Sequence, residues 1–131
     1  MIFIDSNIPM YFVGAPHPRK VDAQRIVEGL VAERRRLVSD VEVLQEILHR
    51  YVSIDRREMI QPAFDALLGV VDEVFSVQTS TVGRAKEIVL ARRKFSARDA
   101  LHLAVMEEQG VKEILTFDAG FDGYPGITRL R

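Results

Sequence analysis

Apolar residues recur along this chain in two rhythms. "MIFID" at the start is four apolar residues closed by Asp5, the continuous run of a strand covered on both faces of a parallel sheet. Pro9, Gly14, Pro16 and Pro18 then fall close together, and that stretch predicts turns. From Val21 to Arg35 the spacing changes. Val21, Ile26, Val27, Leu30 and Val31 gather toward one face, which predicts a helix. "RLVSD" predicts a brief second strand ending at Ser39. "DVEVLQEILHRYV" predicts a helix that starts at Asp40, with Val41, Leu44, Leu48 and Tyr51 roughly in phase. "RREMIQPAFDALLGVV" is helical too, with Pro62 inside it marking a kink or a break between two helices.

"EVFSV" at 73–77 alternates and predicts a third strand. Residues 80–92 predict a helix, and 97–109 another, opened by a Ser and closed by Gly110 as a C-terminal cap. "KEILTFD" (112–118) reads as a fourth strand, again ending in Asp, and "GITRL" (126–130) as a short fifth strand at an edge. Strands alternating with helices predict an α/β fold: a three-layer sandwich with a central parallel sheet of four to five strands and helices on both faces. No repeat, linker or low-complexity segment interrupts the pattern, so residues 1–131 are expected to form a single domain.

Composition narrows the classes of function. Hydrophobic residues make up 47% of the chain and charged residues 28%, the balance of a folded globular protein. Eighteen Lys and Arg stand against 19 Asp and Glu, so no global field draws the chain to nucleic acid or membranes, and any such affinity must be a local patch. The absence of cysteine rules out a disulfide scaffold, a thiolate metal site and a thiol nucleophile. No apolar run approaches the roughly 20 residues of a membrane span, and "MIFIDSN" lacks the features of a signal peptide. A cytoplasmic protein is expected.

Ligands of parallel α/β sheets bind beyond the carboxyl ends of the strands. Asp5 and Asp118 each end an apolar strand, so both are expected at that rim, while Glu46 and Asp99 lie on helices whose N-terminal parts can face it. Each acid also has a structural reading: Asp5 as a strand-end or cap carboxylate, Asp99 as a helix-dipole partner. Four carboxylates brought together cannot all stay ionised without a counter-charge. Oxygen donors without thiolate favour hard cations such as Mg2+ or Mn2+, and such an ion suits phosphate ester chemistry.

"FIDSN" (3–7), "VLQEILHRY" (43–51), "FSARDALHLAVM" (95–106) and "ILTFDAGFD" (114–122) together resemble the PIN domain, in particular the small ribonuclease toxins of the VapC type. The resemblance covers essentially the whole chain in order and spacing. It implies a PIN-like fold and carries the family's acidic positions onto Asp5, Glu46, Asp99 and Asp118, with Asp5, Asp99 and Asp118 as metal ligands. Asp122 matches a further acidic position, Asn7 the polar residue after the first Asp, and Thr116 the hydroxyl residue before the fourth acid. Ser6 stands where the family more often has Thr. The resemblance further implies an Mg2+- or Mn2+-dependent endoribonuclease that cuts single-stranded or loop RNA through in-line attack by metal-bound water. A small antitoxin partner and a homodimer are implied as well.

Glu42 sits one helical turn before Glu46 on a similar face and competes for the same role, with Glu46 preferred. His102, one turn past Asp99, reads as a helix-packing residue, with a catalytic or RNA-contacting role as the alternative. Basic runs occur at Arg19–Lys20, Arg34–Arg36, Arg56–Arg57 and Arg92–Lys94. Arg92, Arg93 and Lys94, which precede the Asp99 helix, are the first candidates for RNA phosphates. Two other classes compete. A phosphoaspartyl enzyme would want a second Asp where Asn7 stands, or a Lys at the end of a late strand. A non-catalytic binding module on the same fold would have lost acidic positions, and none is lost.

Overall fold

The computed structural model describes all residues 1–131. Five strands, β1 (Ile2–Ile4), β2 (Leu37–Asp40), β3 (Glu73–Phe75), β4 (Glu113–Leu115) and β5 (Thr128–Leu130), form one sheet in the order β3-β2-β1-β4-β5, with every neighbouring pair parallel. Six helices connect them: α1 (Asn7–Val13), α2 (Pro18–Ala32), α3 (Val41–Ser53), α4 (Ile60–Leu68), α5 (Thr79–Ala91) and α6 (Ala97–Gln109). Helices α1, α2, α3 and α4 pack against one another, and α5 packs on α6. With the right-handed crossovers that parallel strands favour, this order carries the chain outward from β1 to β3 over one face and back to β4 over the other. Phe3, Ile4, Val38, Ile114 and Leu115 of the strands are fully buried with Ile47, Leu67, Leu103 and Met106 of the helices.

The strand order reverses beside β1, between β2 and β4, which is the crevice where such sheets bind ligands. Register fixes what lies there. Ile4 pairs with Leu115 and Phe3 with Val38, so the next residues along the rim are Asp5, Thr116 and Asp40.

The local boundaries differ from the sequence pattern in instructive places. The stretch expected as turns contains α1, because Pro9 falls in that helix's first turn, where no intrahelical N–H is required of it. Pro18 is the first residue of α2, capped by the His17 ring accepting from the Arg19 N–H at 3.0 Å. That helix stops at Ala32 rather than at Arg35. Arg34 takes φ +56°, and the Arg34 and Arg35 N–H groups close back onto the carbonyls of Val31 and Leu30, both at 3.0 Å. Asp55, at φ +55°, ends α3 the same way. Pro62 does not kink its helix: a 3-10 turn at Arg57–Met59 precedes α4, and Pro62 again lies in a first turn. Strand β2 runs to Asp40 rather than Ser39, while β3 and β4 each end two to three residues sooner than the apolar runs suggest. Helix α6 starts and ends where predicted, with Gly110 at φ +69°. No helix is long and apolar enough to cross a membrane.

Candidate active site

Asp5 leaves β1 at the crevice, buried, with both carboxylate oxygens occupied. Oδ1 accepts from the Ser6 N–H at 2.7 Å and Oδ2 from the Thr116 hydroxyl at 2.7 Å. Thr116 in turn accepts from Asn7 Nδ2 at 2.9 Å and from the Asp118 N–H at 3.0 Å, so its one donor and both lone pairs are used. Asn7 closes the loop by accepting from the Phe117 N–H at 3.3 Å. Burial pushes the Asp5 carboxyl above its ordinary range; nearby His102 opposes that shift and Glu46 adds to it.

Glu46 is on the second turn of α3, facing Asp5. Its Oε2 accepts from the Ser6 hydroxyl at 2.7 Å, and its Oε1 lies 2.7 Å from His102 Nε2. Burial alone would raise Glu46, but the hydrogen bond and charge of His102, with Ser6, hold it below its ordinary value. The other ring nitrogen of His102, Nδ1, lies 2.8 Å from Asp40 Oδ2. Asp40 caps α3 by accepting from the Val43 N–H through its remaining oxygen at 2.9 Å. Both Asp40 and His102 are completely buried. Burial works against a charged imidazole, yet the facing carboxylates of Asp40, Glu46 and Asp5 drive the His102 pKa well above its usual value.

One ligand atom each from Asp5, Glu46 and His102 lie within 4.8 Å of one another. Both nitrogens of His102 are engaged by carboxylates, so the donors left for a cation are carboxylate oxygens. These fit a hard divalent ion.

Asp99 and Asp118 fall outside that tight trio. Asp99 sits half-buried in the first turn of α6, where its N–H donates to the Ser96 hydroxyl at 3.1 Å. Its carboxyl is pushed up to about 6 by burial and by the charges of Asp118 and Asp5. Asp118 is exposed just past β4 and accepts from the Gly120 N–H at 2.8 Å. Asp122 is turned elsewhere: Arg129 grips its two oxygens at 2.8 and 2.9 Å, holding the carboxyl below its usual range. Glu42 is half-buried and raised by burial and by Glu46. Arg92, Arg93 and Lys94 are exposed; Arg92 lies over the Tyr124 ring, and the Lys94 ammonium donates to the Asp122 carbonyl.

The model of the PIN domain family matches residues 2–127. The chain belongs to the PIN-domain family, in its VapC branch. It is 58% identical over 130 residues to ribonuclease VapC13 of Mycobacterium tuberculosis, covering 99% of both chains. Among solved structures it resembles M. tuberculosis VapC20, a toxin that cleaves the sarcin–ricin loop, with a TM-score of 0.72 and 24% identity over 94% of this chain and 91% of that one. A toxin–antitoxin complex from Klebsiella pneumoniae matches with a TM-score of 0.66 and 15% identity over 98% of this chain and 96% of that one.

Sequence reasoning on this VapC-type chain missed Asp40 as a member of the site and preferred packing for His102 over a catalytic or RNA-contacting role. His102 does pack, with Phe3 at 5.2 Å between ring centroids, but it also joins two carboxylates. Its position three residues after Asp99, one turn along the same helix face, is what pointed to that alternative.

Proposed function

We propose that this chain is a metal-dependent endoribonuclease, the toxin of a toxin–antitoxin pair, with residues 1–131 as one catalytic domain. One observation carries the reading: two carboxylates, Asp5 buried and Glu46 beside it, brought together at the sheet's switch point. It gains force from 58% identity, over nearly the full length, to a protein named as a ribonuclease.

Asp5, Asp99 and Asp118 hold the cation in this reading, and Glu46, beside Asp5, offers it a further carboxylate. The oxygen donor set suits Mg2+ or Mn2+. When bound, such an ion supplies positive charge to phosphate oxygens and lowers the pKa of a water. The protein's part is orientation. Ser6 and Thr116 fix both oxygens of Asp5, and Asn7 and the Asp118 N–H fix Thr116. Arg92, Arg93 and Lys94 flank the start of α6 and take RNA phosphates, which a site this acidic would otherwise repel. Single-stranded or loop RNA is the substrate class, since its unpaired nucleotides can be splayed out toward the site.

Without the cation, the carboxylates of Asp99 and Asp118 at the mouth of the site offer partners to a guanidinium, which binds carboxylates bidentately. An antitoxin that inserts an Arg is the partner this favours, acting in the cytoplasm on a toxin homodimer. The test is incubation of the protein with single-stranded RNA pools in Mg2+ or Mn2+, with chelator controls. Internal cuts that vanish with chelator are expected. Robust cutting in excess chelator overturns the metal dependence, and intact RNA in every metal overturns the nuclease.

A further inference from the structure

We propose that Asp40 and His102 are positioning residues: together they hold the Glu46 carboxylate against Ser6 and facing Asp5, so that the two carboxylates present oxygens to one divalent cation. The role deepens the ribonuclease reading above and rests on it for its consequence in catalysis.

The geometry is a chain of short contacts. Asp40 Oδ2 lies 2.8 Å from His102 Nδ1, His102 Nε2 lies 2.7 Å from Glu46 Oε1, and the Ser6 hydroxyl donates to Glu46 Oε2 at 2.7 Å. A glutamate on a helix has three side-chain torsions and a free path to solvent. Here both of its oxygens are pinned, and each keeps a lone pair for a further partner. The ring that pins it is itself fixed at its other nitrogen, by a carboxylate anchored as the cap of α3. The start of α3 thus sets its own second turn through a residue of α6.

Packing alone does not call for these groups. His102 and Asp40 are fully buried, with the Phe3 and Phe121 rings around the imidazole. Apolar side chains of similar volume would fill such a place with equal or greater stability than an ionic group. Their presence is accounted for by what the ring does to Glu46. His102 Nε2 is 3.9 Å from Asp5 Oδ1, so the ring also backs the gap between the two carboxylates and leaves their opposite side for the cation.

The test is a double-mutant cycle on the full chain, read by Mn2+ affinity from electron paramagnetic resonance titration. Cleavage of random-sequence single-stranded RNA is the second readout. His102→Gln is expected to weaken Mn2+ binding about 10- to 100-fold, the usual effect of removing a ligand's hydrogen-bond support. In a Glu46→Gln background the same change is expected to cost less than about twofold, because the residue acts through Glu46. Equal losses in both backgrounds, or no loss in either, overturn the proposal.

If His102→Gln does not fold, judged by circular dichroism, Asp40 decides. Asp40→Asn still caps α3 and can donate from its amide to Nδ1 of a ring protonated at Nε2. It is expected to stay within about threefold of wild type while Asp40→Ala falls with the loss of the support. An Asp40→Ala protein with wild-type Mn2+ affinity overturns the proposal. A wild type that shows the Mn2+ cycle yet leaves RNA intact removes the nuclease reading and leaves the positioning role standing.

Discussion

The Thr116 hydroxyl donates to Asp5 Oδ2 at 2.7 Å, joining residues 111 apart in sequence at the point where the sheet's strand order reverses. Because Thr116 also accepts from Asn7 and from the Asp118 N–H, one hydroxyl sets three groups of the site. Thr116→Val keeps the shape and removes the hydroxyl, leaving those partners unsatisfied. The expected cost is about 1–3 kcal/mol of stability, with Thr116→Ser restoring most of it. Urea unfolding of the three proteins measures this.

Glu46 and Glu42 occupy one face of α3, but only Glu46 is hydrogen-bonded, to His102 and Ser6. Glu46→Gln is expected to lower the cleavage rate on the order of 100-fold, in line with the loss of a site carboxylate or its support. Glu42→Gln is expected to leave the rate close to wild type. Equal losses in steady-state assays of the pair would show that the helix face, rather than the hydrogen-bonded position, governs activity.

The parts of this site that were legible in the sequence are those whose local and distant roles coincide. An apolar run closed by Asp5 predicts both a buried strand and a carboxylate at its rim, and parallel register then brings Thr116 alongside. Ser96 and Gly110 bracket α6 by chemistry that acts within a few residues. Asp40 was illegible, and His102 legible only in part, for the opposite reason. Each has a sufficient local explanation, a helix cap and a packed ring, and their meeting across 62 residues depends on how α6 lies over the sheet's end. The Pro9 stretch was misread because proline signals a turn unless it falls in a helix's first turn, and which case holds depends on where α1 begins.

Asp122 follows the fourth acid closely in sequence, yet Arg129 holds its carboxylate by two hydrogen bonds. Arg129 is itself almost fully buried along its side chain and belongs to β5. Asp122→Asn is therefore expected to loosen the edge strand and lower the melting temperature while leaving Mn2+ affinity unchanged. Paired thermal melts and Mn2+ titrations check both halves, and a lost Mn2+ site would place Asp122 in the acid cluster.

Arg92, Arg93 and Lys94 are exposed, with Arg92 over the Tyr124 ring and Lys94 donating to the Asp122 carbonyl. Replacing all three by Gln is expected to weaken single-stranded RNA binding alike for every sequence. The slope of log affinity against log salt should fall by about 2, the value for three lost phosphate contacts on a single strand. Fluorescence anisotropy across a salt series reads the slope directly, and an unchanged slope removes these residues from the RNA path.

Asp99 makes the most direct test of what the cation does for the fold. Burial and the charges of Asp118 and Asp5 push its carboxyl up to about 6, from an ordinary value of 3.8. Between those two pH values the folded, metal-free protein binds a proton that the unfolded chain has released. Stability from this group is therefore full below about pH 4, declines as pH rises, and is gone above about pH 6. Asp99→Asn removes the dependence. In chelator at pH 8 the variant is expected to be more stable than wild type by about 1 kcal/mol after discounting for solvent screening, or a few degrees in Tm. At pH 4 the two should melt together. Added Mg2+ reverses the order, since binding to the native state alone raises the wild type and the variant has lost a carboxylate for the cation. A variant that melts well below wild type in chelator at pH 8 would mean that Asp99 supports α6 as a first-turn carboxylate and is no part of a repelling cluster.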